Sequence, residues 1–343
     1  MFGIVTHGFK IGGPFLLVLS LLFAGDFAAA AESAKVRIGV TRYIGDAHNY
    51  IAQQKGLFKK HGLDAELVLN KTGIENVQKL LRGEVDFAMI LPTPIVINSF
   101  KPNSFLRGAE PDPEYAVIAN LMQSDSLNSV TAATDRGIKT PKDLEGKKLA
   151  LLVGTGSEYY WYSYADYHDI DHDNVRIVDA KIKDIRGLIE TGAADAYTLW
   201  EPVSTTVRKQ ISVPTLELPA QRLYASGRFV IVRRDFAEKR TDLVERYLEA
   251  LLEAESILQQ DFEETTRIMS RQINISEEDV RLMQEKITFN LALDESVLFN
   301  VTEQAKWLIR TRYNGEKSIP DYRTILFEGP LAKIKPGGVN FLK

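Results

Sequence analysis

The chain has 343 residues, a formal net charge of -4, and 45% hydrophobic against 26% charged side chains. It contains no cysteine, which excludes disulfides, thiolate metal sites, cysteine nucleophiles and a lipid anchor on an N-terminal cysteine. A mildly acidic chain without a basic stripe is a poor partner for nucleic acid. Its length is about twice that of a common domain, so two lobes are the first expectation.

Lys10 precedes an apolar run over residues 11–24, and the small residues Ala28 to Ala31 then read as an A-x-A cleavage site. A charged start, a short apolar run and that site predict a secretory signal over residues 1–31, cleaved after Ala30 or Ala31. The run is shorter than the roughly 20 residues of a membrane-spanning helix. Export without disulfides suits a bacterial periplasm. The cleaved chain is then expected to stay out of the bilayer and to act as a monomer.

From residue 35 the pattern alternates. "KVRIGV" is β-branched and predicts a strand ending near Val40; "DAHNYIAQQKGLFKKHG" predicts a helix closed by Gly62. "LDAELVLN" reads as a strand, "IENVQKLLRG" as a helix and "VDFAMI" as a buried strand, after which Pro92 and Pro94 suit the first turn of another helix. A loop over 101–115 leads to two strand-like runs, "YAVIANLM" and "NSVTAAT". The alternation then restarts: a strand over 148–153, a helix from "GTGSEYY", then "NVRIVDA", "IRGLIETG", "ADAYTLW", "EPVSTTVRKQ" and the strand "SGRFVIVRR". Beyond Asp235 the chain reads as helix almost throughout. Leu243, Val244, Tyr247, Leu248, Leu251 and Leu252 form a 3.6-period stripe, and a further helix is predicted over 277–290. Alternation at this spacing predicts a two-lobed α/β fold, each lobe a mostly parallel sheet flanked by helices, with a helical C-terminal segment. Lobe 1 takes residues 35–127 and 231–343, lobe 2 residues 128–230, with a ligand crevice at strand ends and helix starts between them.

Four stretches carry a resemblance: "HNYIAQQKGLFKKHGLDAELV", "LLRGEVDFAM", "GIKTPKDLEGKKLALLVGTGSEYY" and "GAADAYTLWEPV". In this order they resemble the substrate-binding proteins of ABC importers for nitrate, sulfonates, taurine and thiamine precursors. The similarity covers most of residues 36 to 233; the helical tail carries no motif. It implies a type II periplasmic-binding fold, capture of a small solute and delivery to a membrane permease with its ATPase. The solute itself is not implied.

The turn at residues 154–159 is the strongest candidate site. "GTGSEYY" lacks the lysine of a P-loop and the third glycine of a dinucleotide-binding fingerprint. What remains is a turn opening a helix, whose free N–H groups face the crevice, so Thr155, Gly156 and Ser157 are expected ligand contacts. Thr155 and Glu158 also have the spacing of a capping box. Sulfonate-type relatives often carry His followed by Tyr here; this chain has Glu158 and Tyr159. Facing the pocket, Glu158 would favour an amine or ring N–H donor; acting as a cap, it would not. Both readings stay open. The aromatic run Tyr159 to Tyr164 places 159 with 162, and 160 with 164, on shared faces. One or two of its rings near the helix start could stack on a planar or cationic ligand.

On the other lobe, Tyr43, Asp46 and His48 sit where a strand gives way to a helix, with Asp46 a plausible N-cap. Thr93 belongs to the same rim, and Trp200 and Glu201 lie at a strand end opposite. Glu201 can accept from the ligand or simply favour a helix start. "HDIDH" sets His168 and His172 four apart without the zinc-protease glutamate, so no metal ligand is expected. No catalytic residue and no cofactor is expected either. The leading reading is a solute receptor that works by hinge closure, binding an organic, nitrogen-containing or heterocyclic solute. The alternatives are an enzyme on the same fold, resembling thiamine-pyrimidine synthases or menaquinone-pathway dehydratases, and a ligand sensor for a membrane signalling protein.

Overall fold

The computed structural model describes residues 1–5, 8, 33–108, 110–315 and 317–341. The export segment at residues 10–31 and its cleavage positions lie outside them.

The first strand–helix alternation runs as β1 (Ala34–Thr41), α1 (Ala47–Gln54), α2 (Leu57–Lys60), β2 (Leu63–Asn70), α3 (Gly73–Leu81), β3 (Phe87–Ile90) and α4 (Pro92–Phe100). The single helix expected over 46–62 is two, because Gly56 between them takes a left-handed conformation with φ 69°. β4 (Tyr115–Ser124) is followed by β5 (Asn128–Ala133), β6 (Lys148–Leu151), α5 (Gly156–Tyr167), β7 (Arg176–Asp179), α6 (Ile182–Thr191), β8 (Ala196–Trp200), α7 (Val203–Gln210) and β9 (Thr215–Glu217). The chain continues through β10 (Ser226–Arg233), α8 (Arg234–Lys239), α9 (Thr241–Gln260), α10 (Phe262–Ile273) and α11 (Glu277–Gln284). It ends with β11 (Thr288–Asp294), α12 (Glu295–Arg312), α13 (Gly329–Ile334) and β12 (Val339–Asn340).

Among the described residues these strands form two sheets, in the orders β12-β11-β4-β10-β3-β1-β2 and β7-β6-β8-β5-β9. Parallel pairing joins β1 to β2 and β3, and β6 to β7 and β8. The strands next to the crossings pair antiparallel: β10 with β3 and β4, β5 with β8 and β9. The chain thus leaves the first sheet after Ser124 and rejoins it at Ser226. Residues 226–230 therefore pair with the first sheet, whereas the sequence reading grouped them with the second lobe.

Each sheet has its own apolar interior. Ile38, Phe87, Val117, Val230, Tyr247 and Leu251 belong to one large cluster around the first sheet. The second sheet is covered on both faces, by Tyr160, Trp161 and Tyr164 of α5 on one and by Ile185, Ile189 and Val207 of α6 and α7 on the other. The stripe read in α9 is buried at Leu243, Val244, Tyr247, Leu248 and Leu251.

The C-terminal region is not helical throughout. The helix expected over 277–290 stops at Gln284, and "TFNLALD" forms β11 against β4. Phe289, Leu291 and Leu293 are buried at alternate positions, a period of two that a helix cannot present to one neighbour.

Candidate functional site

A cavity of about 630 Å³ opens between the two sheets. Among the described residues, α3, α4, α5, α6 and α7 all begin at its wall, represented by Gly73, Leu91, Gly156, Ile182 and Val203. The first turn of a helix has N–H groups without intrahelical partners and the positive end of the peptide dipoles; in α4, Pro92 and Pro94 have no such N–H, so that start offers fewer donors than the other four. Several such ends converging on one space favour an anion there.

Side chains add to that field. Arg42, Lys71, Lys79 and Arg228 line the cavity, as does the single carboxylate of Glu75. Arg228 lies in the middle of β10, only 3% exposed, and its Nε and Nη2 donate to Asp46 Oδ1 and Oδ2 at 2.6 and 2.9 Å. Nη2 also donates to Thr41 Oγ1 at 2.9 Å. Asp46 is completely buried and accepts from the backbone N–H and hydroxyl of Thr41 at 2.7 and 2.9 Å. The two buried charges thus satisfy one another, as burial requires. Setting Arg228 against Asp46 leaves Arg42, Lys71 and Lys79 against Glu75, two net positive charges.

Nη1 of Arg228 points toward the start of α3. A Cβ at Gly73 would lie 3.4 Å from Nη1 and 3.2 Å from the Met89 carbonyl oxygen, so any larger residue would crowd this helix start against β3 and Arg228. Thr72 caps α3 by accepting from Glu75 N at 3.1 Å, and Glu75 Oε2 accepts from Lys71 N at 2.9 Å. The ring of Tyr43 lies 5.2 Å from the Arg228 guanidinium, and burial holds its phenol well above its ordinary pKa. It is therefore a neutral wall, stacked under a cation.

Of the residues singled out from the sequence, Tyr43, Thr155, Gly156 and Trp200 line this cavity. The others are placed differently. Asp46 does not cap α1 and lies behind the wall, held by Arg228. His48 is fully buried, its ring edge-on to Phe289 at 5.6 Å, and burial lowers its pKa to about 3. His48 thus packs against β11 and is not on the cavity lining that includes Tyr43. Thr93 and Ser157 are fully buried beneath the cleft surface with their hydroxyls unpartnered.

Glu158 is not on the lining of this cavity. Its Oε2 accepts from Gly154 N at 2.6 Å and from Arg312 Nη2 at 2.5 Å. The capping box therefore closes on Gly154, while Thr155 accepts from Ser157 N at 3.3 Å. Tyr159 packs on the side away from the cavity, 5.0 Å from Tyr224 and 5.3 Å from Trp307. Tyr162 lies 5.6 Å from the same indole, whereas Tyr160 and Tyr164 are interior, so no ring of α5 walls the cleft. Glu201 accepts from the N–H and hydroxyl of Thr205, both at 3.1 Å, and serves the start of α7.

Arg228, Lys71, Lys79 and the α3 start were missed by the sequence reading. A lone arginine inside "GRFVIV" was the available signal, since a charge within a buried strand must have a partner. Lys71 and Lys79 are half-exposed to exposed and carry no such mark. Among the described residues no group of three or more His, Asp or Glu could hold a metal, and no helix is long and apolar enough to cross a membrane.

A putative aliphatic sulfonates-binding protein of Bacillus subtilis (strain 168) is 22% identical over 292 residues, covering 82% of each chain. The fold is that of the periplasmic aliphatic sulphonate binding protein SsuA from Escherichia coli, with a TM-score of 0.69 at 17% identity over 86% of this chain and 92% of that one. The periplasmic nitrate-binding protein NrtA from Synechocystis PCC 6803 gives a TM-score of 0.67 at 16% identity, over 89% of each chain. Both of these solved structures are named as periplasmic binding proteins. Residues 46–264 match the family described as NMT1/THI5 like, and the chain belongs to that family.

Proposed function

We propose that the chain is the solute-binding component of an importer, exported to the periplasm, and that it holds a small organic anion in the cleft between its two sheets. The observation that carries this reading is the convergence of five helix starts and the Arg42, Lys71, Lys79 and Arg228 cations on one cavity. An anion fits this field; an amine does not. The reading therefore departs from the nitrogen-containing solute that Glu158 suggested, since that carboxylate is bound by Arg312. The names of the sulfonate- and nitrate-binding relatives point the same way.

Each sheet with its helices acts as a lobe, and the two crossings after Ser124 and before Ser226 act as the hinge. Gln221 ties these crossings, donating to the carbonyls of Asp125 and Tyr224 at 3.5 and 3.0 Å. A ligand touching both walls favours the closed form; moving such an equilibrium from mostly open to mostly closed takes about 5.5 kcal/mol of differential binding. A permease and its ATPase would then receive the solute from a single copy of the closed chain. We read the chain as a binding protein rather than an enzyme, a reading supported by the names of its sulfonate- and nitrate-binding relatives.

A thermal-shift screen of the purified protein against organic anions, amines and neutral heterocycles tests this. A ligand at 100 times its Kd adds about 2.7 kcal/mol of stability. Stabilisation by anions supports the proposal; stabilisation by amines alone contradicts it.

A further inference from the structure

The first sheet separates two spaces. In β10, Arg228 lines the cleft, while its neighbours Gly227 and Phe229 line a groove on the opposite face of the strand, as alternate strand residues do. The groove consists of adjoining cavities of about 140 and 370 Å³ that share Tyr159, Leu223, Phe299 and Glu303. One wall is α5, from the half with the second sheet, and the other is α12, packed on the first. The crossing before Ser226 contributes Leu223 and Tyr224, and Asn300 of α12 donates to the Ala225 carbonyl at 2.5 Å. Cleft and groove thus lie on opposite sides of the crossing that joins the two halves.

The rings of α5 divide into two kinds. Tyr160, Trp161 and Tyr164 are completely buried around the second sheet. Tyr159 and Tyr162, on the groove side, are half-buried and meet one indole, Trp307 of α12, at 5.3 and 5.6 Å. Leu223 and Phe299 beside them remain 59% and 62% exposed. The joint between α5 and α12 is therefore only partly closed to water, unlike the ring cluster behind it.

We infer that Tyr159 and Trp307 set the affinity of a cleft they do not touch. Turning the two halves about the crossings to close the cleft parts α5 from α12, because the joint lies on the far side of the crossing. The inference rests on the hinge closure proposed above. Contacts broken on closure hold the open form, and the apparent affinity for a solute falls with the fraction of molecules in the closed, binding-competent state. Each ring pair is worth about 2- to 12-fold in such an equilibrium. Contacts between rings lose roughly a quarter to a half of their attraction over about 1 Å of separation. The long Arg312 side chain, in contrast, can follow Glu158 as α5 moves, so the rings carry the effect. Glu158→Gln keeps an acceptor for Arg312 and leaves the joint intact.

The test combines small-angle X-ray scattering of the ligand-free protein with calorimetric titration of nitrate, ethanesulfonate and hexanesulfonate. Tyr159→Ala should make the ligand-free protein more compact. It should also tighten every anion that binds by one common factor, about 10-fold, because the closing equilibrium multiplies all affinities alike. A merely structural residue would lower stability and leave both readouts unmoved. The reverse constraint uses Asp166 and Arg310, an exposed pair across the joint at 3.4 Å. The chain has no cysteine, so Asp166→Cys with Arg310→Cys accepts a short bis-maleimide at those positions alone. The cross-link should prevent compaction by any anion and weaken binding by about 10-fold or more relative to the same variant before linking. Unchanged scattering and affinity in folded Tyr159→Ala, or undiminished binding by the cross-linked protein, would overturn the inference. Should Tyr159→Ala not fold, the cross-linked variant decides alone. Should no anion bind the wild type, the anion reading falls, while scattering of ligand-free Tyr159→Ala still decides whether the joint holds the halves apart.

Discussion

Arg312, in the last turn of α12, donates to Glu158 in the first turn of α5 at 2.5 Å. The bond joins the body around the first sheet to the helix whose start forms part of the cleft. Glu158 is therefore structural: it fixes the Gly154 turn and ties α5 to α12. Glu158→Gln should lower unfolding stability by about 1–2 kcal/mol and leave solute affinity within a factor of three. A large loss of affinity with unchanged stability would return this carboxylate to the ligand.

The Arg228–Asp46 pair makes a second demand. Both side chains are almost fully inaccessible, so removing one partner strands a buried charge. Asp46→Asn should cost about 3–5 kcal/mol in urea unfolding. Replacing both, Asp46→Leu with Arg228→Met, should recover most of that loss, because a matched apolar pair is often as stable as a buried ion pair. A double variant as unstable as Asp46→Asn would show that the site needs the charges for folding as well.

Lys71 and Lys79 line the cleft. Their contribution should be long-range and screened. Lys71→Ala and Lys79→Ala should each weaken anion binding a few-fold at low ionic strength and less at physiological salt, where the Debye length is about 8 Å. Titrations at two salt concentrations check this; an equal loss at both would mean direct contact.

His48 gives a pH signature unrelated to binding. Burial, reinforced by the nearby Lys335 charge, depresses its pKa from 6.5 to about 3. Above pH 6.5 the ring is neutral folded and unfolded, and its contribution is fully present. Below that the unfolded chain takes up the proton first, so stability falls as pH drops toward 3, by at most about 1.4 kcal/mol per pH unit. His48→Leu should flatten the acid limb of stability measured between pH 6.5 and 4.5. An unchanged slope would assign the acid sensitivity to other groups.

The alternating α/β pattern and the restart after residue 134 were legible because β-branched runs and helix periodicity are local. β11 was not: its seven residues follow a strong helix, and only the alternate burial of Phe289, Leu291 and Leu293 against β4 reveals a strand. In the site, Gly156 and Trp200 could be read from where a strand ends and a helix begins. Glu158 and Tyr159 could not, because their partners Arg312 and Trp307 lie some 150 residues away. Arg228 has the same difficulty in reverse. Its strand was evident, but its role depends on Asp46, 182 positions earlier.

Calorimetric titration of one alkanesulfonate into the wild type and into the Asp46→Leu, Arg228→Met double variant tests the central claim most directly. The account requires one saturable site in the wild type and at least a 100-fold loss in a variant that remains folded. Undiminished affinity in the folded variant would contradict an anion seated on Arg228 between the two sheets.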